Sequence, residues 1–187
     1  MRLSRNPLGN RVQRVATALP QMHDSLPIFI QALDSGTARL AYQLVQSSLN
    51  GCLYGEHALA ALSDAARAPS RESRALVVHS AGSEDLLGVA VFGEVAGTLG
   101  TGKLHFVGAT PSAHLQGVAS RLIDAAIADL AKNAARFVLA ELPDDPLIAD
   151  VRELLICNGF VEEARIPDFY ADGIALVCLR REIDGDR

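Results

Sequence analysis

The stretch that decides the fold runs from Val107 to Leu130 and reads VGATPSAHLQGVASRLIDAAIADL. It begins as an apolar strand, turns after Pro111, and continues as a helix with one apolar side. Small residues at Gly117, Ala119 and Ser120 allow the backbone of the turn to approach a ligand closely. Because the first amides of a helix lack partners and lie at the positive end of its dipole, this turn predicts a binding site for an anion such as a diphosphate.

The composition indicates a single domain that does not bind nucleic acid or a membrane. The chain has 187 residues, of which 49% are hydrophobic, and this is enough for one core. Its 17 basic and 22 acidic residues give a net charge of −5, and no basic block could follow a phosphate backbone. No apolar run approaches the ~20 residues of a membrane span. Three scattered cysteines favour a reducing, cytoplasmic location.

Residues 1–26 are interpreted as a flexible N-terminal extension, and residues 27–187 as the folded domain. Four arginines of the extension precede its first acidic residue, Asp24, which gives it a local positive charge. Loose termini are common in proteins, so an extension without a role is the simplest interpretation. A tether to an anionic surface and a docking arm for a partner are the alternatives.

Hydrophobic periodicity predicts the order strand, two helices, three strands, helix, strand, helix, two strands. The strands are expected at 28–33, 75–79, 86–95, 103–109, 137–142, 160–166 and 174–183, and the helices near 37–49, 56–67, 117–132 and 146–157. Asp145 is expected to cap the last helix, and Asn158-Gly159 to end it. The nearly continuous apolar run at 137–142 is typical of a central strand that is buried on both faces.

Two other patterns lead to no site. Gly97, Gly102 and Lys103 match the start of the phosphate-loop pattern G-x-x-x-x-G-K-[ST], but Leu104 stands where the hydroxyl residue is required. The five histidines show no metal-ligand spacing, so no metal site is expected. His105 lies in a predicted strand, where it could be an auxiliary base or a histidine with a structural role only.

The turn at 114–119, HLQGVA, resembles the acetyl-CoA signature Q/R-x-x-G-x-G/A of the GNAT acetyltransferase superfamily. Gly159-Phe160 after the last predicted helix is similar to the family pattern at that place. The segment IPDFYADG at 166–173 resembles the tail of a bacterial subgroup. The resemblance implies an α/β (α+β) fold, with a mixed, mostly antiparallel central sheet flanked by helices and with splayed middle strands.

The resemblance further implies that the chain binds acetyl-CoA as acyl donor, mainly through backbone amides that hold its diphosphate. The implied cofactor-binding residues are Val107, Gly108 and Ala109 on the strand, and His114, Leu115, Gln116, Gly117, Val118, Ala119 and Ser120 in the turn and helix. The sequence departs from the family at His114, where Gln or Arg is usual, and at Leu115, where Gly is common. The His114 ring can still donate a hydrogen bond.

The reaction implied by the resemblance is direct acetyl transfer to a primary amine, with a small molecule or an amino acid as the default acceptor. Backbone amides near Gly108 and Ala109 would polarise the thioester carbonyl. Glu141 aligns with a carboxylate that serves several GNAT enzymes as general base, and its apolar neighbours should desolvate it. A glutamate that simply meets solvent at the end of a strand is the alternative.

The residue that protonates the leaving thiolate is a tyrosine in many relatives, and here that place falls at Leu155. Tyr170 is therefore the candidate acid, and a packing role for its ring is the alternative. Because Leu155 and His114 depart from the family, a non-catalytic acyl-CoA sensor or a partner-binding domain is the alternative function. The sequence does not identify the acceptor, and it leaves the oligomeric state open, with a homodimer as one option.

Overall fold

The computed structural model describes residues 27–114 and 117–183. The strands are β1 (Ile28–Ala32), β2 (Arg74–Ser80), β3 (Leu86–Glu94), β4 (Thr101–Ala109), β5 (Phe137–Pro143), β6 (Val161–Ala171) and β7 (Ile174–Glu182). The helices are α1 (Ala38–Ser48), α2 (Gly55–Arg67), α3 (Pro111–His114), α4 (Val118–Ala131) and α5 (Ala149–Cys157), with a 3-10 turn at Pro146–Ile148. The extension expected at residues 1–26 lies outside the described residues.

The described strands form one seven-stranded sheet in the order β1-β2-β3-β4-β5-β7-β6. Neighbouring strands are antiparallel except β4 and β5, which are parallel and are connected through α4. A parallel pair requires such a crossover, whereas the antiparallel pairs need only short turns. The expected fold class, a mixed and mostly antiparallel sheet flanked by helices, is confirmed.

The two middle strands separate halfway along their length. β4 and β5 pair from Thr101 opposite Phe137 to Leu104 opposite Ala140, and β4 then continues unpaired on that side to Ala109. The next residue, His105, is an extra residue in the ladder with β3, because its neighbours Leu104 and Phe106 face consecutive residues of β3. A bulge bends its strand and increases the local twist, so it directs β4 away from β5. The splayed middle strands are thus confirmed.

Helix α4 packs closely on the middle of the sheet, and this fixes the position of its first turn. Leu122, Ile123 and Leu130 of the helix are fully buried. A Cβ atom at Gly88 of β3 would lie 2.8 Å from the side chain of Val118 and 2.9 Å from that of Leu122. The absence of a side chain at Gly88 therefore allows the start of α4 to contact the strand directly.

Replacing Gly88 by alanine is expected to reduce the free energy of unfolding by about 1–3 kcal/mol, because the added methyl group overpacks the contact with Val118 and Leu122. Urea unfolding followed by circular dichroism measures this. Ala128→Ser at an exposed position of α4 is a control for the addition of one side-chain atom that creates no clash. An unchanged urea midpoint for Gly88→Ala would show that α4 does not pack tightly here.

The structure differs from the sequence-based expectation in four places, the first of which is the short helix α3, since the predicted order has no helix there. The prediction that β5 is buried on both faces is wrong: Val138, Ala140 and Leu142 are buried, while the alternating residues are half-buried. Strand β6 extends to Ala171, beyond its predicted end, and ten of its eleven residues are exposed. The last helix is preceded by a 3-10 turn, where the Asp145 carboxylate accepts a hydrogen bond from the Leu147 amide at 2.9 Å and so confirms the predicted cap.

Candidate functional site

A cleft of about 600 Å³ opens where β4 leaves β5. The end of α1, the second half of β4, the start of α4 and the segment 147–154 form its walls. The residues of the predicted cofactor site that line it are Val107, Gly108, Ala109, Gly117, Ala119 and Ser120. The side chain of Val118 is instead buried in the core, which leaves its backbone amide as the group that could contact a ligand. Leu115, Gln116 and the side chain of His114 lie outside the described residues.

The first turn of α4 presents backbone amides to this cleft. Gly117 precedes the helix in the left-handed conformation, with φ of +63°. The first bond within the helix runs from the Arg121 amide to the Gly117 carbonyl, at 3.1 Å. The amides of residues 118–120 precede that bond, and the helix offers them no acceptor. Asn158 at the end of α5 donates a hydrogen bond to the Ser120 hydroxyl at 3.1 Å, so the two helix ends are connected.

The ladder between β3 and β4 determines which amides of β4 face the cleft. The Thr110 amide donates to the Leu87 carbonyl at 2.8 Å. Residues bonded to the neighbour alternate along an antiparallel strand, so Gly108 also directs its amide to β3. Val107 directs its amide to the opposite side, toward the cleft. Ala109 has the same orientation as Val107, so of the two residues near which the polarising amide is expected, Gly108 and Ala109, only Ala109 directs its amide to the cleft side. Val107 lies nearer than Ala109 to the end of the β4–β5 ladder.

A small cavity of about 30 Å³ lies between the diverging strands, at the inner end of the cleft. Tyr54, Val107, Glu141 and Leu155 are among the residues that line it. This volume holds about one water molecule. Leu155 is 2% exposed, so a buried apolar side chain occupies the place where the family resemblance implies a proton-donating tyrosine.

Glu141 forms an ion pair with Lys103 of β4. The Lys103 Nζ atom lies 2.6 Å from the Glu141 Oε2 atom, and the two side chains are 19% and 36% exposed. The sequence predicts apolar neighbours around this carboxylate, and Lys103 stands out in it only as part of a phosphate-loop pattern. The pair could not be found from spacing, since the two residues are 38 positions apart and meet only through the register of β4 and β5.

Three rings lie in a row beside the bulge. The Tyr54 ring centroid is 5.4 Å from that of His57, which is 5.9 Å from that of His105. Burial, together with the charges of Lys103 and His57, lowers the pKa of His105 to about 4, so its ring is neutral at pH 7. The Tyr54 hydroxyl donates a hydrogen bond to the His105 carbonyl. Nothing in the sequence pattern singled out Tyr54, because its partner is 51 residues away.

Tyr170 is a half-buried residue near the end of β6. Burial raises its pKa, and the negative charge of Glu141 raises it further, so the phenol stays protonated at neutral pH. Its ring also packs edge-on against Phe169, with centroids 5.1 Å apart. Tyr170 thus lies within electrostatic range of Glu141, and both its proposed acid role and its packing role are compatible with this position.

Acidification should destabilise the protein through His105. Its pKa is about 4 in the folded chain and near 6.5 in the unfolded chain. The unfolded chain therefore binds more protons between these values, and stability falls as the pH falls from 6.5 to 4, by about 1–3 kcal/mol. We expect His105→Gln to lose less stability than the parent protein between pH 7 and pH 4.5 in urea unfolding. His79→Gln on β2 is the control. If His105→Gln and the parent protein lost equal stability over this pH range, the lowered pKa of His105 would not be the cause of the loss.

Among the described residues there is no group of three or more His, Cys, Asp or Glu side chains that could hold a metal ion. Within the same residues, no helix has the length and hydropathy needed to span a membrane.

Comparisons of the folded chain define its class. No protein-family profile matches the sequence, and no curated protein matches it significantly. The fold is similar to a protein of Desulfovibrio desulfuricans assigned to the GNAT acetyltransferase family, with a TM-score of 0.75, 19% identity, and coverage of 84% of this chain and 100% of that one. The described chain therefore has the GNAT fold.

Two further solved structures share this fold. One is the ribosomal-protein-S18-alanine N-acetyltransferase of Escherichia coli, with a TM-score of 0.65, 15% identity, and coverage of 86% of this chain and 98% of that one. The other is a protein of Salmonella typhimurium, assigned as an acetyltransferase and solved with its cofactor acetyl-CoA. It has a TM-score of 0.65, 15% identity, and coverage of 86% and 96%.

Proposed function

We propose that the protein is an acetyl-CoA-dependent N-acetyltransferase that transfers acetyl directly to a primary amine of a small molecule or an amino acid. The observation that carries the proposal is the cleft between β4 and α5. One end of it has the amides at the start of α4, for which the helix has no acceptor, and its inner end reaches the cavity beside Glu141. An anionic group and a reacting carbonyl of one extended ligand could occupy the two ends together.

The proposed donor site uses mostly backbone groups. The amides of Val118, Ala119 and Ser120 hold the diphosphate of acetyl-CoA at the positive end of the α4 dipole. His114, Leu115, Gln116 and Gly117 complete the turn around it. The rest of the cofactor follows Val107 to Ala109, on the side of β4 that β5 leaves unpaired. The Salmonella protein of the same fold, solved with acetyl-CoA, supports this donor.

In the proposed reaction, the Val107 amide donates a hydrogen bond to the thioester carbonyl and stabilises the charge that develops on its oxygen. Glu141 accepts the proton of the attacking amine, directly or through a water molecule, and Lys103 holds the carboxylate in place. Tyr170 gives a proton to the departing thiolate. The amine attacks bound acetyl-CoA directly, so no covalent enzyme intermediate forms.

We further propose that the acceptor enters through a groove of about 450 Å³ between α2 and the segment 70–73. His105 lines both this groove and the inner cavity, so the groove leads to the reacting end of the cleft. Arg67 on the same wall pairs with Asp64 at 3.6 Å, so Glu72 is the carboxylate that favours a positively charged amine, and the neutral rings of His57 and His105 can accept its hydrogen bonds.

The test is calorimetric titration with acetyl-CoA and with free CoA, followed by an acetylation assay on a panel of small amines and amino acids. Micromolar binding and turnover of at least one amine are expected. Failure of either ligand to bind or to stabilise the protein at millimolar concentration would contradict the donor site at residues 114–120.

A non-catalytic acyl-CoA sensor is the second candidate. The observation that favours it is Leu155, which fills the place of the usual proton donor and is buried. Tight binding of acetyl-CoA without turnover of any amine would support this function over catalysis.

We propose a cytoplasmic location, which the three free cysteines support. A homodimer is the assembly to test, by light scattering. The exposed edge strand β6 offers a surface for it.

A further inference from the structure

Tyr54 lies at the point where the two middle strands separate. It is the last residue before α2, it is 8% exposed, and its side chain lines the cavity between β4 and β5. Its own amide donates to the Cys52 sulfur at 3.4 Å, which fixes the backbone of the turn. Its hydroxyl donates to the carbonyl of His105. One side chain thus connects the helical layer to the bulge of β4.

The carbonyl that Tyr54 binds belongs to the first residue beyond the β4–β5 ladder. That ladder ends at Leu104 opposite Ala140, and His105 is the extra residue of the bulge. Buried backbone carbonyls in folded proteins are almost always hydrogen-bonded. If this carbonyl had no other partner, it would favour an approach of β5 or the entry of a water molecule. The Tyr54 hydroxyl satisfies the carbonyl while the strands stay apart.

We propose that Tyr54 is a positioning residue, which holds β4 away from β5 so that the Val107 amide remains aligned with the acetyl group of the bound donor. Val107 follows His105 by two residues on the same strand, so a shift of the bulge moves its amide. This inference rests on the proposed function, because it assumes that acetyl-CoA occupies the cleft. Tyr54 itself does not touch the reacting atoms in this account.

Acetyl-CoA and free CoA differ only in the acetyl group, and the positioning role of Tyr54 predicts a different effect on each. Free CoA has the diphosphate and the pantetheine arm but no acetyl carbonyl. A displaced Val107 amide should therefore weaken binding of acetyl-CoA and have little effect on CoA. A general loss of stability in the fold would affect both ligands alike.

The experiment measures the dissociation constants of both ligands by calorimetry for the parent protein and for Tyr54→Phe, which removes only the hydroxyl. We expect the dissociation constant of acetyl-CoA to rise about tenfold, the upper range for one neutral hydrogen bond, and that of CoA to change less than twofold. Tyr42→Phe removes a half-exposed hydroxyl on α1 as a matched control. Leu62→Val in the buried side of α2 controls for lost stability.

Equal increases for the two ligands, or no increase for either, would overturn the positioning role. Failure of the parent protein to bind either ligand would instead contradict the proposed function, so the two failures are distinguishable.

If Tyr54→Phe does not fold, a second measurement tests the positioning role in the parent protein. The chain has three tyrosines, so labelling with 3-fluorotyrosine gives three fluorine resonances, which Tyr42→Phe and Tyr170→Phe assign. We expect the Tyr54 resonance to shift more on saturation with acetyl-CoA than with CoA, because only acetyl-CoA places a carbonyl at the Val107 amide, two residues beyond the carbonyl that Tyr54 binds. Equal shifts for the two ligands, or no shift, would overturn the inference.

Discussion

Replacement of Glu141 by glutamine is expected to lower kcat for amine acetylation by about 10²–10⁴-fold, the range for loss of a general base. Affinity for acetyl-CoA should stay within twofold, because the carboxylate lies beyond the cleft segment that would hold the cofactor. The amide has almost the same shape and can still accept a hydrogen bond from Lys103. The change therefore removes proton transfer while the contact between β4 and β5 is kept.

Steady-state kinetics with a saturating amine, together with calorimetry for the donor, measure this. Glu153→Gln is the control, since Glu153 is exposed on α5 and lines neither the cleft nor the acceptor groove. If Glu141→Gln kept the kcat of the parent protein, Glu141 would not be the general base. The neutral ring of His105 would then be the next candidate to test.

Replacement of Ala119 by aspartate should weaken CoA binding about 100-fold. Ala119 lines the cleft in the first turn of α4. Two like charges about 5 Å apart repel by about 3 kcal/mol at an effective dielectric constant near 20, which corresponds to about two orders of magnitude in affinity. The same carboxylate interacts favourably with the helix dipole, which offsets the loss of the partly buried Ala119 methyl group from its contact with the core, so the melting temperature should change little.

A large loss of CoA affinity without a loss of thermal stability would show that Ala119→Asp acts on the binding site and not on the fold. Ala128→Asp places the same charge on the exposed part of α4, about two and a half turns away, and should leave CoA affinity unchanged. Calorimetry and thermal unfolding on both variants provide the comparison. Undiminished binding by Ala119→Asp would show that the diphosphate does not lie at this helix end.

The order of the elements was predictable because each one has a clear local signal. The helix of 118–131 has an apolar stripe, and left-handed glycines occur where the chain turns, as at Gly117 and Gly159. The cleft residues of β4 and α4 were predictable for the same reason, since they lie next to each other in the sequence. Local patterns thus determine the elements and the part of the site that one segment supplies.

The contacts across the cleft were not predictable, because they depend on register and on a bulge. The one-residue insertion at His105 changes which amides of β4 face the cleft, and no residue type requires a bulge there. The half-buried face of β5 was missed because a continuous apolar run has the same pattern whether one face of the strand or both are fully covered. The ion pair of Glu141 and the hydrogen bond of Tyr54 each connect residues far apart in the sequence.

The four residue pairs between β4 and β5 are the only strand pairing that joins β1–β4 to β5–β7 in the described sheet. We call this pairing the seam of the sheet, and we call β1–β4 and β5–β7 its two leaves. The two leaves can separate along the seam without breaking the hydrogen bonds between any other pair of strands. A molecule in the cleft would contact residues 107–109 of one leaf and residues 147–154 of the other, and so it would bridge the seam. Ligand at a hundred times its dissociation constant would stabilise the closed sheet by about 2.7 kcal/mol. Amide hydrogen exchange at this seam should then report occupancy of the cleft directly.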